Sequence, residues 1–277
     1  MLATLDMPAA NGVAKGQTAT FRLPIGYTYH ELYLTLGGLA ASIADVTGIR
    51  VYANSKEIHN FSGTVRNAMN LFDGRNGFSG NADTLVIPFN RTGLKTPAAE
   101  VVTALVTGGD PNQANVISEL RVEVDFTSSG TYTPTADLHA LVSTGGSSAG
   151  VIIHTRKFTF DIGASGEYDI ATFARGGVST SQVNRIWFAP SANDLNSVRL
   201  EVNQKKAFNR TKALNELVQT DGVRTPQSGY VVTDFTEKGY GGEVLDLRGA
   251  QDFRAIVNAS GAMTLTAYVE YLGALGD

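Results

Sequence analysis

The chain has no cysteine among its 277 residues. That removes disulfide frameworks, thiolate metal sites and cysteine nucleophiles together. Histidine is scarce: His30, His59, His139 and His154 stand singly, with no H-x-x-x-H or HExxH spacing to seat a metal. They read as solvated or locally hydrogen-bonded side chains. No stretch reaches the ~18 apolar residues of a membrane helix, so no transmembrane segment is expected. The first residues lack the basic start and apolar run of a signal peptide. The product is therefore expected to be made in the cytoplasm, and to stay there or leave without a cleaved signal. Basic blocks are missing as well. With 22 Lys+Arg against 26 Asp+Glu the net charge is -4, and direct, sequence-specific nucleic-acid binding is not expected.

What the chain does have is 43% hydrophobic residues, 30 glycines and many short alternating runs. This is the pattern of an all-β body with frequent turns. Its length suits one large domain or two of about 135 residues.

A repeat organises the rest. Ile49–Leu71 (IRVYANSKEIHNFSGTVRNAMNL) matches Val198–Val218 (VRLEVNQKKAFNRTKALNELV) after a shift of 149 positions, with Asn54, Lys56 and Asn60 meeting Asn203, Lys205 and Asn209. Each copy reads as a strand, a polar turn, then an amphipathic helix with a Ser/Thr or Asn cap. Two further blocks extend the echo: Phe21–Gly26 against Phe158–Gly163, and Leu120–Phe126 against Leu265–Tyr271. One unit is used twice.

In chain order, residues 1–18 read as an extended arm. Strands are expected at Thr18–Leu23, Glu31–Leu36, Gly48–Ala53, Thr84–Phe89 and Leu120–Phe126, with a helix at Ser62–Phe72. A second helix starts at Thr96-Pro97 and carries Ala98, Val101, Val102 and Leu105 as its apolar stripe. The Ser/Gly/Thr-rich stretch 131–150 reads as a linker. Beyond it, strands are expected at Val151–Phe160, Glu167–Ala171, Asn184–Ala189, Ser197–Val202, Tyr230–Phe235, Glu243–Leu247, Asp252–Val257 and Met263–Tyr271, with a helix at Asn209–Val218. The domains expected are an arm (1–18), a first sandwich (19–130), the linker (131–150) and a second sandwich (151–277). The fold class is all-β: two tandem eight-stranded jelly-roll β-sandwiches, a double jelly roll, with short inserted helices.

Motifs that could carry chemistry fail on context. Gly146-Ser147-Ser148-Ala149-Gly150 fits G-x-S-x-G, but a nucleophile elbow needs a strand before and a helix after, and here a Gly/Ser stretch precedes β-patterned residues. Asp73–Gly77 starts like a calcium loop, yet Thr84 stands where the bidentate Glu belongs. Gly108–Gln113 offers oxygen ligands in a loop and stays open as a contributor to a calcium site shared between subunits. Gly239-Tyr240-Gly241-Gly242 lacks the lysine of a phosphate loop. Trp187, the only tryptophan, lies in an alternating strand and reads as core or inter-domain filler. The Asn-x-Thr triplets at Asn90 and Asn209 carry no weight without a secretory route. No catalytic or cofactor-binding residue is assigned, and no metal site.

The run Phe21-Arg22-Leu23-Pro24-Ile25-Gly26-Tyr27-Thr28-Tyr29 resembles the LPIG-x-TY segment near the start of corticovirus major capsid proteins. Ile49–Asn54 with its following helix, Val101–Leu105 and Tyr268-Val269-Glu270-Tyr271-Leu272-Gly273 resemble that family in the same order. The likeness runs from about residue 21 to the C-terminus. It implies two eight-stranded sandwiches side by side, standing upright in the shell of a tailless, membrane-containing icosahedral phage. It also implies homotrimers that tile as pseudo-hexagons, a lattice of such trimers, penton and membrane-associated virion proteins as partners, and structural calcium. The location implied is the virion capsid. The duplication, read without the family, fits this: three chains with two similar lobes each mimic a hexagon.

Two readings follow. The first is a major capsid protein without catalysis, its interfaces on the side faces of both units, the arm Met1–Lys15 and the segment Thr131–Val142. The alternative is a two-domain β-sandwich that binds carbohydrate or acts on glycans, which should gather paired carboxylates or aromatics at one end of a sandwich.

Overall fold

The computed structural model describes residues 1–38, 43–78, 83–145 and 149–276. They divide into two units, Met1–Ile153 with Ala274–Gly276, and His154–Gly273. Among the described residues no helix is long and apolar enough to cross a membrane.

The first unit carries β1 (Leu2–Asp6), β2 (Thr18–Leu23), β3 (Tyr27–Gly37), β4 (Val46–Ala53), β5 (Lys56–Phe61), helix α1 (Gly63–Phe72), β6 (Asp83–Pro88), helix α2 (Pro97–Val101), β7 (Leu105–Val106), β8 (Leu120–Phe126) and β9 (Thr135–Thr144). One ladder runs β1-β9-β3-β6, with the two-residue β7 also on β3. The other runs β2-β8-β4-β5. Interleaving the chain in this way makes a jelly roll. The alternation seen in the sequence sets which side is buried: Leu32, Leu34 and Leu36 of β3, and Leu120, Val122, Val124 and Phe126 of β8, are all buried. With no cross-link, such side chains supply the cohesion, each worth roughly 2 kcal/mol when fully removed from water.

The second unit repeats the plan with β10 (Ile152–Ile162), β11 (Gly166–Ile170), β12 (Gln182–Pro190), β13 (Leu195–Val202), β14 (Lys205–Thr211), helix α3 (Lys212–Gln219), β15 (Val231–Asp234), β16 (Leu245–Asp246), β17 (Phe253–Ala259) and β18 (Met263–Gly273). Its ladders run β10-β18-β12-β15, with β16 on β12, and β11-β17-β13-β14. Among the described residues each unit thus holds eight ladder strands plus one two-residue strand. The chain folds as a double jelly roll.

The duplication extends to irregularities. In β4 against β8 the register skips Thr47, and in β13 against β17 it skips Asn196. In β4 against β5 it skips Ile58, and in β14 against β13 it skips Ala207. Both pairs lie 149 positions apart. His30 bulges from β3 against β9 as Asn184 bulges from β12 against β18. The hairpin turns match too. Asn54 and Ser55 have φ of 49° and 65°, Asn203 and Gln204 of 48° and 64°. Two left-handed residues in a row make the turn whose twist suits a two-residue hairpin, and asparagine tolerates that region best among residues with a side chain. Asn54 Oδ1 accepts from the backbone N–H of Ser118 and Glu119, and Asn203 Oδ1 from Gln251 and Asp252.

Several expectations need correction. Phe21 pairs with Val122 and Ile170 with Ala255, so Phe21 corresponds to Ile170 and not to Phe158. The counterpart of Leu120–Phe126 is Phe253–Ala259, because these strands lie between equivalent partners. The terminal Met263–Gly273 matches β9 instead. The stretch 131–150 read as a linker therefore contains a ladder strand. Part of the arm expected over 1–18 is β1, which pairs with it from Leu2↔Ser143 to Asp6↔His139. Short alternation flanked by Ser and Gly hid β9. What read as a polar turn before each helix is a tight turn followed by a whole strand, β5 or β14. Helix α2 is only five residues long, leaving Val101 and Val102 exposed while Leu105 enters β7.

Two predictions follow from the shared geometry. Asn54→Ala and Asn203→Ala should each destabilise the protein by about 2 kcal/mol, from left-handed strain plus lost side-chain hydrogen bonds. Asn→Gly at either site should cost less; urea unfolding measures both, and an unchanged midpoint in the Ala variants would count against the shared turn. The second concerns acid. Buried His30 sits with Nε2 2.9 Å from Ser143 Oγ and Nδ1 3.4 Å from Asn90 Nδ2. Burial lowers its pKa, against the raising pull of Asn90 and Glu31. The folded state then resists a proton that the unfolded chain takes up at its ordinary value of about 6.5. Stability should fall as pH drops from there through the folded value, and His30→Asn, the residue of the second unit's bulge, should flatten that slope in unfolding titrations.

Candidate functional site

The residues singled out for catalysis or metal binding are not brought together. Gly146, Ser147 and Ser148 of the elbow-like motif lie outside the described residues. His30, His59 and His154 are buried, while His139 Nε2 faces Asp6 Oδ1 at 3.2 Å across β9 and β1. Asp110 Oδ1 is engaged by the backbone N–H and Nδ2 of its neighbour Asn112. Thr84 Oγ1 bonds Thr35 Oγ1 across β6 and β3, away from any ligand role. Among the described residues no three His, Cys, Asp or Glu side chains gather to hold a cation. Trp187 is fully buried with its ring 6.1 Å from Tyr230, so it offers no aromatic face to a sugar.

The chemistry that is built with care surrounds the two equivalent helices. Helix α1 forms because Ser62 Oγ accepts from Val65 N at 3.3 Å and the apolar side chains fall at i, i+3, i+4 and i+7: Val65, Ala68, Met69 and Phe72. Helix α3 starts the same way, with Thr211 Oγ1 accepting from Leu214 N at 3.3 Å. Each helix rests on its jelly roll through polar groups. In α1, Arg66 donates to Asn70 Oδ1 (2.9 Å), and Asn70 Nδ2 donates to Val86 O of β6 (3.0 Å). In α3, Asn215 and Gln219 stand at the positions of Arg66 and Asn70, and both donate to Val232 O of β15 (2.7 and 2.8 Å).

An arginine follows each helix, Arg75 and Arg224, 149 positions apart. Arg75 pairs with Glu31 of β3. In the second unit the place of Glu31 is taken by Arg185 of β12, and the carboxylate has moved to Asp234 of β15. Arg224 Nε donates to Asp234 Oδ2 at 2.6 Å, and Arg185 Nε lies 3.0 Å from the same oxygen. Thr236 donates to Asp234 Oδ1 from its backbone N–H and its hydroxyl. Arg224 also donates to Thr236 O, Glu237 O and Asp221 Oδ2. Burial alone would raise the Asp234 pKa, but the two guanidinium groups and the hydrogen bonds from Thr236 and Arg224 outweigh it and hold the carboxyl below its usual range. Arg210 grips Glu237 through two hydrogen bonds of 2.6 and 2.9 Å, and Gln219 Nε2 reaches the same carboxylate.

The helices differ on the flank turned away from these polar seats. In α1, Val65, Ala68, Met69 and Phe72 are all covered. In α3, the residues at the same positions as Val65, Ala68 and Met69 are Leu214, Leu217 and Val218, exposed at 48%, 72% and 40%. Val223, just beyond, is 49% exposed. Sequence reasoning found the helix but not this exposure, since its apolar spacing looks the same whether a face is covered or bare. The arginine pair was open to discovery, because Arg75 and Arg224 keep the repeat's own offset.

Comparison with known proteins places this arrangement. A model of the viral coat protein P2 N-terminal domain matches residues 4–144, and one of the viral coat protein P2 C-terminal domain matches residues 152–275. No curated protein sequence matches the chain. The crystal structure of the major capsid protein P2 from bacteriophage PM2 is similar over 100% of this chain and 98% of its own, with TM-score 0.86 and 19% identity. The STIV MCP matches with TM-score 0.69 and 10% identity, covering 99% of this chain and 97% of that one. The PBCV-1 virus capsid gives 0.62 and 9%, covering 98% and 93%. At such identities these likenesses establish the fold, while the two family models, one on each jelly roll, establish kinship: the chain belongs to the viral coat protein P2 family.

Proposed function

We propose that this coat protein acts as the major capsid protein of a membrane-containing icosahedral phage, that it forms homotrimers, and that it works through interfaces without catalysing a reaction. The family supports the capsid role, and the observation that supports self-association is the bare flank of α3. Two helices of one design sit at equivalent places in two equivalent jelly rolls. One has its apolar flank covered within the chain and the other does not. A contiguous apolar patch on a soluble surface marks an interaction site. A second copy of the same chain covers it economically, and closing that contact around a threefold axis sets six similar lobes in a ring. Trimers arranged in this way would tile flat facets, with penton and membrane-associated virion proteins as further partners.

Native mass measurement and sedimentation test the reading. The wild-type chain should run as a trimer, and Leu217→Asp should run as a monomer with unchanged circular dichroism. A charge placed in a packed apolar interface costs several kcal/mol, so the trimer should weaken by about a hundredfold or more. A monomeric wild type, or an undiminished trimer in the variant, would refute it.

A further inference from the structure

We infer that the polar seat beneath α3 is an orienting device: Gln219 and Arg224 are positioning residues that fix the helix in the rotation that keeps Leu214, Leu217 and Val218 facing outward. The inference rests on the self-association reading and adds how the surface is held ready.

The physical problem is plain. An eight-residue helix bearing an apolar flank lowers its free energy by turning that flank inward. Something must make the outward rotation the stable one. Here the inward side is occupied by amides with fixed partners. Asn215 and Gln219 both donate to Val232 O, and Asn215 Nδ2 is also 3.3 Å from Gln219 Oε1. Rolling the helix would leave these amides and the strand carbonyl buried without partners, which opposes the inward rotation. The segment after the helix is locked as well. Arg224 is almost fully buried and spends its donors on Asp234, Asp221, Thr236 and Glu237. Asp221 in turn accepts from the backbone N–H of Val223 and Arg224, which closes the turn.

The two repeats act as an internal comparison. The amide that reaches the strand carbonyl is kept, as Asn70 to Val86 and Gln219 to Val232. The arginine after the helix is kept, although the carboxylate it meets has moved from Glu31 on β3 to Asp234 on β15. A counter-ion that changes strand while the arginine stays in place indicates that anchoring the segment is what both copies require. Buried polar contacts of this kind define one arrangement among several of similar hydrophobic content.

The test combines association with local hydrogen exchange. Gln219→Leu and Arg224→Met should weaken self-association by at least about tenfold, while the circular dichroism of the jelly rolls stays that of wild type. Gln219→Asn, which installs the first repeat's residue, should restore most of the association. To separate orientation from assembly, exchange over residues 209–228 is compared in the Leu217→Ser background, where the apolar contact is weakened throughout. There the seat variants should lose protection in that segment alone. Wild-type protection and wild-type association in both seat variants would overturn the inference. If Leu217→Ser by itself leaves association intact, the interface reading fails, yet the exchange comparison still decides whether the seat orients the helix.

Discussion

Main-chain register governs this molecule. A strand alternates its side chains with period two, so a slip of one residue would send every buried leucine to the wrong side. The chain contains no cross-link that could hold a register by covalent means. It holds register through pairing and through bulges at fixed places, and the bulges at Thr47, Ile58 and His30 recur at Asn196, Ala207 and Asn184. A bulge absorbs one residue and turns the strand. Repeating three of them keeps the two jelly rolls on one plan although few side chains are identical. The bulged residue itself is free to differ: His30 meets Ser143 and Asn90, whereas Asn184 Nδ2 donates to Glu270 at 3.0 Å.

On that scaffold, charge is handled more conservatively than hydrophobic surface. Removing one partner of a buried ion pair leaves the other uncompensated, at a cost of about 3–5 kcal/mol. A buried arginine can therefore change its carboxylate only if a new one is already in reach. The second unit shows the outcome: Arg185 stands at the position of Glu31, and Asp234 serves both Arg185 and Arg224. Apolar positions are freer. Val65, Ala68 and Met69 became Leu214, Leu217 and Val218 with no change of class, yet one set is covered and the other bare. Burial is a property of what surrounds a helix, and the sequence of the helix does not record it.

The repeat was legible where local chemistry demands particular residues. Asn54 and Asn203 are required by left-handed turns, and Ser62 and Thr211 by helix caps. Those positions gave the correct shift of 149. The flanking blocks pair differently in the structure than their sequences suggest, because alternating strands resemble one another. Phe21-Arg22-Leu23 looks like Phe158-Thr159-Phe160, but ladder partners assign Phe21 to Ile170. Strand β9 resembles a linker in sequence because only Leu138, Ala140 and Val142 of its ten residues are buried, in a stretch flanked by serine, glycine and threonine.

The sequence alone determined the class, the doubling and the family. Alternation fixes strands, left-handed turns fix asparagines, and a duplicated motif at constant offset declares two like units. Tertiary structure decided the rest. Which strand lies beside which depends on hydrogen bonds between residues far apart in the chain, and period two makes many pairings look alike in sequence. Which helix flank stays bare depends on neighbours that no local pattern encodes. That Asp234 would face two arginines follows from a jelly-roll topology that sets β12 beside β15, although Arg185 and Asp234 lie 49 positions apart in the chain.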